Sequence, residues 1–184
     1  MKKIILTTAL MAVTGSTFAS DFINLDVAGP RFGFQTVNSE LEFSGNNIQD
    51  TTVKGDMDGV EVGFDFNRVF GTTFSYSKGD DNGSDYDDIR AAGEFGYTFF
   101  FDDEKEFSIK PYGSIGWEKA NIKDNSQFSF DASMSGLTAG IGARATIFKY
   151  GYVGVEYTAL TGKIIGIDTT LTNARVSVGG RVTF

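Results

Sequence analysis

Eleven charged residues recur on one parity of alternating stretches of the chain: Arg31, Glu61, Asp65, Arg90, Glu94, Lys110, Glu118, Arg144, Glu156, Arg175 and Arg181. Five are acids and six are bases, so a shared interior holding them is close to neutral. Such groups can neutralise one another as a buried network of ion pairs, or they can line a path for ions. Within the network the expected partners are Glu156 with Arg144 or Arg175, and Glu94 with Lys110. Histidine is absent, which removes Ser-His and Asp-His catalysis and argues against an enzyme. Cysteine is absent too, so neither disulfides nor thiolate metal sites are available, and no cofactor is expected. A second group, Asp80, Asp81, Asp85, Asp87 and Asp88, crowds one short segment. Asp80, Asn82 and Ser84 fit the first ligand positions of a calcium loop, but the required Gly falls on Asp85 and the bidentate Glu on Ala91. That leaves a weak divalent-cation site or a solvated acidic loop.

The elements that must position these groups are strands. Alternation of apolar and polar residues marks a strand with two unlike faces, and the last segment shows it most clearly. Ala174, Val176, Val178, Gly180, Val182 and Phe184 lie on one side, with Arg175, Ser177, Gly179, Arg181 and Thr183 on the other. Reading backward, the pattern recurs in eight segments of roughly ten residues, the length a tilted strand needs to cross a bilayer. The polar face is mostly Gly, Ser and Thr with charges of both signs. The first segment breaks the pattern, because Phe32 and Phe34 take one parity while Val37, Leu41 and Phe43 take the other. A β-bulge between Gln35 and Ser39 is the expected remedy.

Connections alternate between tight turns at 67–69, 102–106 and 149–151 and long polar loops at 44–55, 79–88, 120–132 and 162–172. Aromatics gather at two heights: Phe66, Phe70, Phe99, Phe101, Phe107, Phe148, Tyr150, Tyr152 and Phe184 near the turns, and Tyr76, Trp117 and Phe43 near the loops. A soluble barrel with its apolar face around a ligand is the other use of such alternation. It has no reason to band its aromatics by height.

At the start, Lys2 and Lys3 precede the apolar run 4–13 and the small-residue segment ending at Ala19. This is a secretory signal peptide, cut after Ala19, and the run is too short for a spanning helix. Residues 20–184 then form one domain. Loss of the two lysines takes the net charge from −8 to −10, which excludes electrostatic binding to nucleic acid.

On these features the chain resembles the small eight-stranded outer-membrane proteins of the OmpX/Ail, OmpA-transmembrane-domain and opacity-like group. The resemblance rests on the leader, the eight strands, the turn/loop asymmetry and the terminal Gly179-Gly180-Arg181-Val182-Thr183-Phe184. It implies an all-β, antiparallel, up-and-down transmembrane barrel in the outer membrane of a Gram-negative bacterium, monomeric and surrounded by lipid and lipopolysaccharide. It also implies that Val176, Val178, Val182 and Phe184 form the signal read by the outer-membrane assembly machinery. The expected function is a plugged barrel acting as a structural or adhesin-like surface protein, with four external loops that meet host or other cell-surface molecules. A narrow pore for ions or small solutes is the alternative.

Overall fold

The computed structural model describes residues 27–45, 48–81, 84–124, 130–164 and 167–183. The signal-peptide segment and Phe184 lie outside the described residues. Among the described residues nine strands follow one another: β1 (Gly29–Gly45), β2 (Ile48–Asp65), β3 (Phe70–Asp81), β4 (Ser84–Gly96), β5 (Phe99–Phe100), β6 (Ser108–Asp124), β7 (Phe130–Ile147), β8 (Gly151–Ile164) and β9 (Ile167–Arg181). Every strand pairs antiparallel with its neighbours, β1 pairs with β9, and β4 pairs with β6, so the sheet closes. The barrel has eight staves, because β5 prolongs the stave begun by β4 and stays paired with β6. The interruption falls at Tyr97 and Thr98. There the Thr98 amide donates to the Arg68 carbonyl at 3.0 Å and the Gly96 amide to the Val69 carbonyl at 2.9 Å, tying the stave to the adjacent turn.

At one end the connections are short. Asn67 caps the first turn, its side-chain carbonyl accepting the Val69 and Phe70 amides at 2.8 Å each, in the manner of Asn in Asx turns. Phe148 and Lys149 both take left-handed backbone, with φ of 52° and 64°. They lie in the three-residue turn 148–150 that joins β7 to β8, where Ile147 pairs with Gly151, and positive φ lets so short a turn reverse the chain.

The other end departs from expectation. Segments 44–55, 79–88, 120–132 and 162–172 are largely strand: β1 and β2 are separated by residues 46–47 alone, β3 and β4 by 82–83, β6 and β7 by 125–129, and β8 and β9 by 165–166. β2 and β7 reach 18 residues each, well beyond the roughly ten that cross a bilayer. The staves therefore continue past the membrane as hairpins.

The bulge expected between Gln35 and Ser39 is absent. β1 keeps unbroken register with both neighbours through that stretch, and the only irregularity lies between Phe43 and Gly45. Parity is instead continuous, with Arg31, Gln35, Val37, Ser39 and Leu41 all turned into the lumen and Phe32, Phe34, Thr36 and Asn38 turned out. The polarity of the inner face changes along one straight strand, and the physical reason is the change of solvent outside it. Where lipid surrounds the barrel the apolar residues face out. Where water does, they face in.

Candidate functional site: a salt-bridged lumen under an apolar plug

The outward faces define the apolar band. Ile115, Leu137 and Ile141 are 66%, 77% and 69% exposed, a lipid-facing arrangement for residues that a soluble protein would bury. Phe66, Phe99, Phe101, Phe107, Phe148 and Tyr150 edge the band near the short turns, while Tyr76, Trp117 and Tyr157 edge it at the other side. Such girdles mark the two membrane–water interfaces. Immediately beyond the second girdle the outward residues become polar: Thr36, Asp58, Lys78, Ser135 and Thr161. Tyr152, expected among the girdle residues, is buried in the lumen. It shares the inward parity of Gly154 and Thr158, and its hydroxyl donates to Glu61 at 2.5 Å.

All eleven charged residues of the inner parity project into the lumen and are buried or nearly so. A twelfth joins them. Asp88, assigned from sequence to the acidic loop, is fully buried and accepts from Arg175 at 3.0 Å. Among the described side chains the interior thus holds six acids and six bases. The signal that could have found it is parity, since Asp88, Arg90 and Glu94 lie at even spacing along β4.

The ion pairs fall into two clusters. In the one nearer the short turns, Arg31 reaches Asp65 at 3.2 Å and Glu94 at 3.0 Å, while Arg144 reaches Glu94 at 2.7 Å and Asp65 at 3.6 Å. Lys110 pairs with Asp65 at 3.1 Å. Tyr112 and Tyr152 flank the Arg144 guanidinium, with ring centroids at 5.2 and 5.8 Å, a cation–π arrangement in a desolvated setting. In the cluster above, Arg175 donates to Glu118 at 2.7 Å and to Thr158 at 2.6 Å. Asn173 links Glu118 to Ser39. Arg90 grips both carboxylate oxygens of Glu156, at 3.1 and 2.6 Å, and Ser114 donates to the same group at 2.6 Å.

The partners expected from sequence are therefore not the partners found. Glu156 stands opposite Arg175 in the β8–β9 register, yet it pairs with Arg90 across the barrel. Glu94 takes Arg31 and Arg144, and Lys110 takes Asp65. Arg31 and Asp65 do pair between the adjacent strands β1 and β2, but Glu156 with Arg90 and Glu94 with Arg144 meet from walls that are not neighbours, as long side chains can in an eight-stave barrel. The guanidinium fork also satisfies a carboxylate at two points, which an ammonium cannot.

Above the clusters the lumen turns apolar. Leu41, Met134, Leu160 and Leu171 form one buried group, with Val53, Ala120 and Ile122 against it, and Val37, Met57 and Tyr86 form another that shares Ile122. Val37 is 0% and Leu160 1% exposed. Together they fill the lumen toward the hairpin end with apolar side chains.

Asp80 stands opposite Asp85 in the β3–β4 register, Asp87 accepts from Asn121 at 2.6 Å, and Asp88 points to the opposite face of the same strand. Asp81 has a described backbone only. Among the described residues, no three His, Cys, Asp or Glu side chains are arranged to hold a metal ion. Of the proposed assembly-signal residues, Val176, Val178 and Val182 face outward in the apolar band.

A scan against protein families matches residues 5–184 to the outer membrane protein beta-barrel domain. The chain belongs to this family. The match places it in the bacterial outer membrane, in keeping with the lipid-facing band. Among curated protein sequences none matches. Among solved structures, the chain is similar to Ail, the attachment invasion locus protein of Yersinia pestis, determined in complex with the heparin analogue sucrose octasulfate. The TM-score is 0.52 at 15% identity, over 84% of this chain and 99% of that one. It is also similar to the N-terminal β-barrel domain of OprF from Pseudomonas aeruginosa, with TM-score 0.52 and 16% identity over 82% and 97% of the two chains. Neisserial surface protein A gives TM-score 0.50 and 16% identity over 83% and 97%. At these identities the likeness is one of fold.

Proposed function

We propose that this member of the family is a non-conducting, non-enzymatic barrel whose function lies on the outer surface of its hairpin extension. The observation that carries the reading is the apolar layer of Val37, Leu41, Met57, Tyr86, Met134, Leu160 and Leu171 seated over the network of buried ion pairs. Hydrated ions would have to shed water to pass such a layer, and the charges beneath it are engaged with one another rather than lining an open path. The absence of histidine and the pairing of the buried carboxylates argue in the same direction against catalysis.

Family membership and the turn/hairpin asymmetry support a periplasmic position for the short turns and an external one for the hairpins. The outward face of β1 to β4 in the extension carries Glu40, Glu42, Asp56, Asp58, Asp80, Asp85 and Asp87 against Lys54 and Lys78. Such a surface repels a sulfated polyanion, so the ligand present in the Ail structure does not transfer to this chain, and a neutral or cationic cell-surface partner fits better. The signal peptide, cleavage after Ala19, a monomeric state and recognition of the C-terminal strand by the assembly machinery belong to the same reading.

Planar-bilayer recording of the refolded mature protein tests it. A silent bilayer with inserted protein is the expected result, and reproducible single-channel steps would replace the plugged barrel with a pore. Binding to immobilised heparin at physiological salt should be undetectable, and the mature chain purified from membranes should begin at Ser20.

A further inference from the structure

We propose that the short-turn mouth of the lumen binds a compact oxyanion, a phosphate or carboxylate group, on Arg181 and the rim lysines. Although the whole lumen is balanced, its two clusters are not. Around Arg90 and Arg175, two bases meet three acids, Asp88, Glu118 and Glu156. At the lower end four bases, Arg31, Lys110, Arg144 and Arg181, meet Glu61, Asp65 and Glu94. Among the described residues the surplus positive charge therefore sits at the mouth.

Arg181 is the residue left short of a counterion. It is 7% exposed, its nearest carboxylate is Asp65 at 3.8 Å, and that carboxylate is already held by Arg31, Lys110 and Arg144 at 3.2, 3.1 and 3.6 Å. Its other contacts are neutral acceptors, the Val27 carbonyl and Thr146 Oγ1 at 3.4 Å. Its Nε is buried with no hydrogen-bond partner, as are those of Arg31, Arg90 and Arg175, but those three each have a carboxylate within 3.2 Å. A buried, poorly compensated guanidinium is costly, and it lines a cavity of about 190 Å³. Lys105, Lys149, Ser108 and Thr146 line the same cavity, with Glu104 the single acid among its lining residues.

Fork-shaped guanidinium donors with flanking hydroxyls and ammonium groups suit a tetrahedral or planar oxyanion. The small volume suits a single oxyanion group rather than a whole polyanion or nucleotide. The group could arrive as free inorganic phosphate or as the phosphate of an anionic phospholipid in the facing leaflet, and both present the same chemistry.

The test uses the ¹⁵N-labelled mature chain in an uncharged maltoside micelle, titrated in one arm with inorganic phosphate and in the other with a short-chain phosphatidylglycerol. Saturable amide shifts confined to the neighbourhood of Ser108, Thr146, Lys149 and Arg181 are expected, and the arm that saturates identifies the source. The double variant Lys105→Gln/Lys149→Gln leaves the buried network intact, so it keeps the test valid even if Arg181→Gln fails to fold. It should weaken binding about tenfold or more, the loss of charge-assisted contacts to one anion. Shifts that fail to saturate in both arms, or a double variant that binds like the parent, would overturn the site.

Discussion

The two halves of the barrel are built from the same strands with opposite polarity. Between the girdles, β1 shows Phe32 and Phe34 to the outside and Arg31 and Gln35 to the lumen; a few residues on, Thr36, Asn38 and Glu40 are outside while Val37 and Leu41 are in. Strand β7 repeats the change, with Leu137 and Ile141 outward below and Met134 inward above. Parity never slips, so the backbone is indifferent to the switch. What differs is the medium against the outer wall: lipid rewards apolar side chains there, and water rewards their removal to the inside. The lower half consequently depends on paired charges to fill its lumen, and the upper half on a hydrophobic core like that of a soluble barrel.

The sharpest way to break that contrast is to unbalance the lower lumen. Glu94→Ala leaves Arg31 and Arg144 with only Asp65 in reach, an uncompensated buried charge. It should cost about 3–5 kcal/mol, measured as urea unfolding of the barrel in phospholipid vesicles. A cost below about 1 kcal/mol would mean that water already solvates the network. In the upper half the corresponding lesion is a cavity. Leu160→Ala should cost about 2–5 kcal/mol, while Thr161→Ala on the outer face one residue away should stay within about 0.5 kcal/mol.

A matched pair on one face locates the boundary between the media. Ile141→Arg, in the lipid-facing band, should cost about 2–4 kcal/mol if the site is near the midplane. Ser135→Arg, outward on the same strand but beyond Leu137, should be neutral to within about 0.5 kcal/mol. Equal costs at both positions would erase the proposed boundary.

The same contrast explains which parts of the molecule were readable from its amino acids. β9 was transparent because every outward residue from Ala174 to Val182 lies in one medium. β1 was not: its inversion at Thr36 and Val37 mimics a register slip, and a bulge is the standard local explanation for one. The polar segments beyond the girdles read as loops because water-facing residues such as Lys54, Asp80, Asp85 and Asp87 interrupt the apolar parity, although the inward Val53, Tyr86 and Ile122 keep the strand period. Asp88 was hidden among loop carboxylates for the same reason. The lumen residues themselves were legible from parity, but their partners were not. Arg31 meets Asp65 from the adjacent strand, but Glu156 with Arg90 and Glu94 with Arg144 depend on where more distant walls converge, a property of closure that neighbouring positions do not encode.

The smallest expected effect lies at the other water boundary, in the turn that begins at Asp102. Its carboxylate accepts the Glu106 and Phe107 amides at 2.8 Å each, and these hydrogen bonds, more than the nearby Lys149 charge, hold its pKa below the usual carboxylate value. A group whose folded pKa is depressed contributes stability that is fully present above its unfolded pKa, about 3.9 for Asp, and lost as the pH falls through the folded value. Asp102→Ala should therefore lower unfolding resistance slightly at neutral pH, with the difference closing in strong acid. The decisive measurement is the parent-minus-variant gap in urea midpoint against pH. A gap that persists below the folded pKa would assign the turn's stability to packing, as in the apolar upper half, instead of to a water-facing carboxylate that caps two amides.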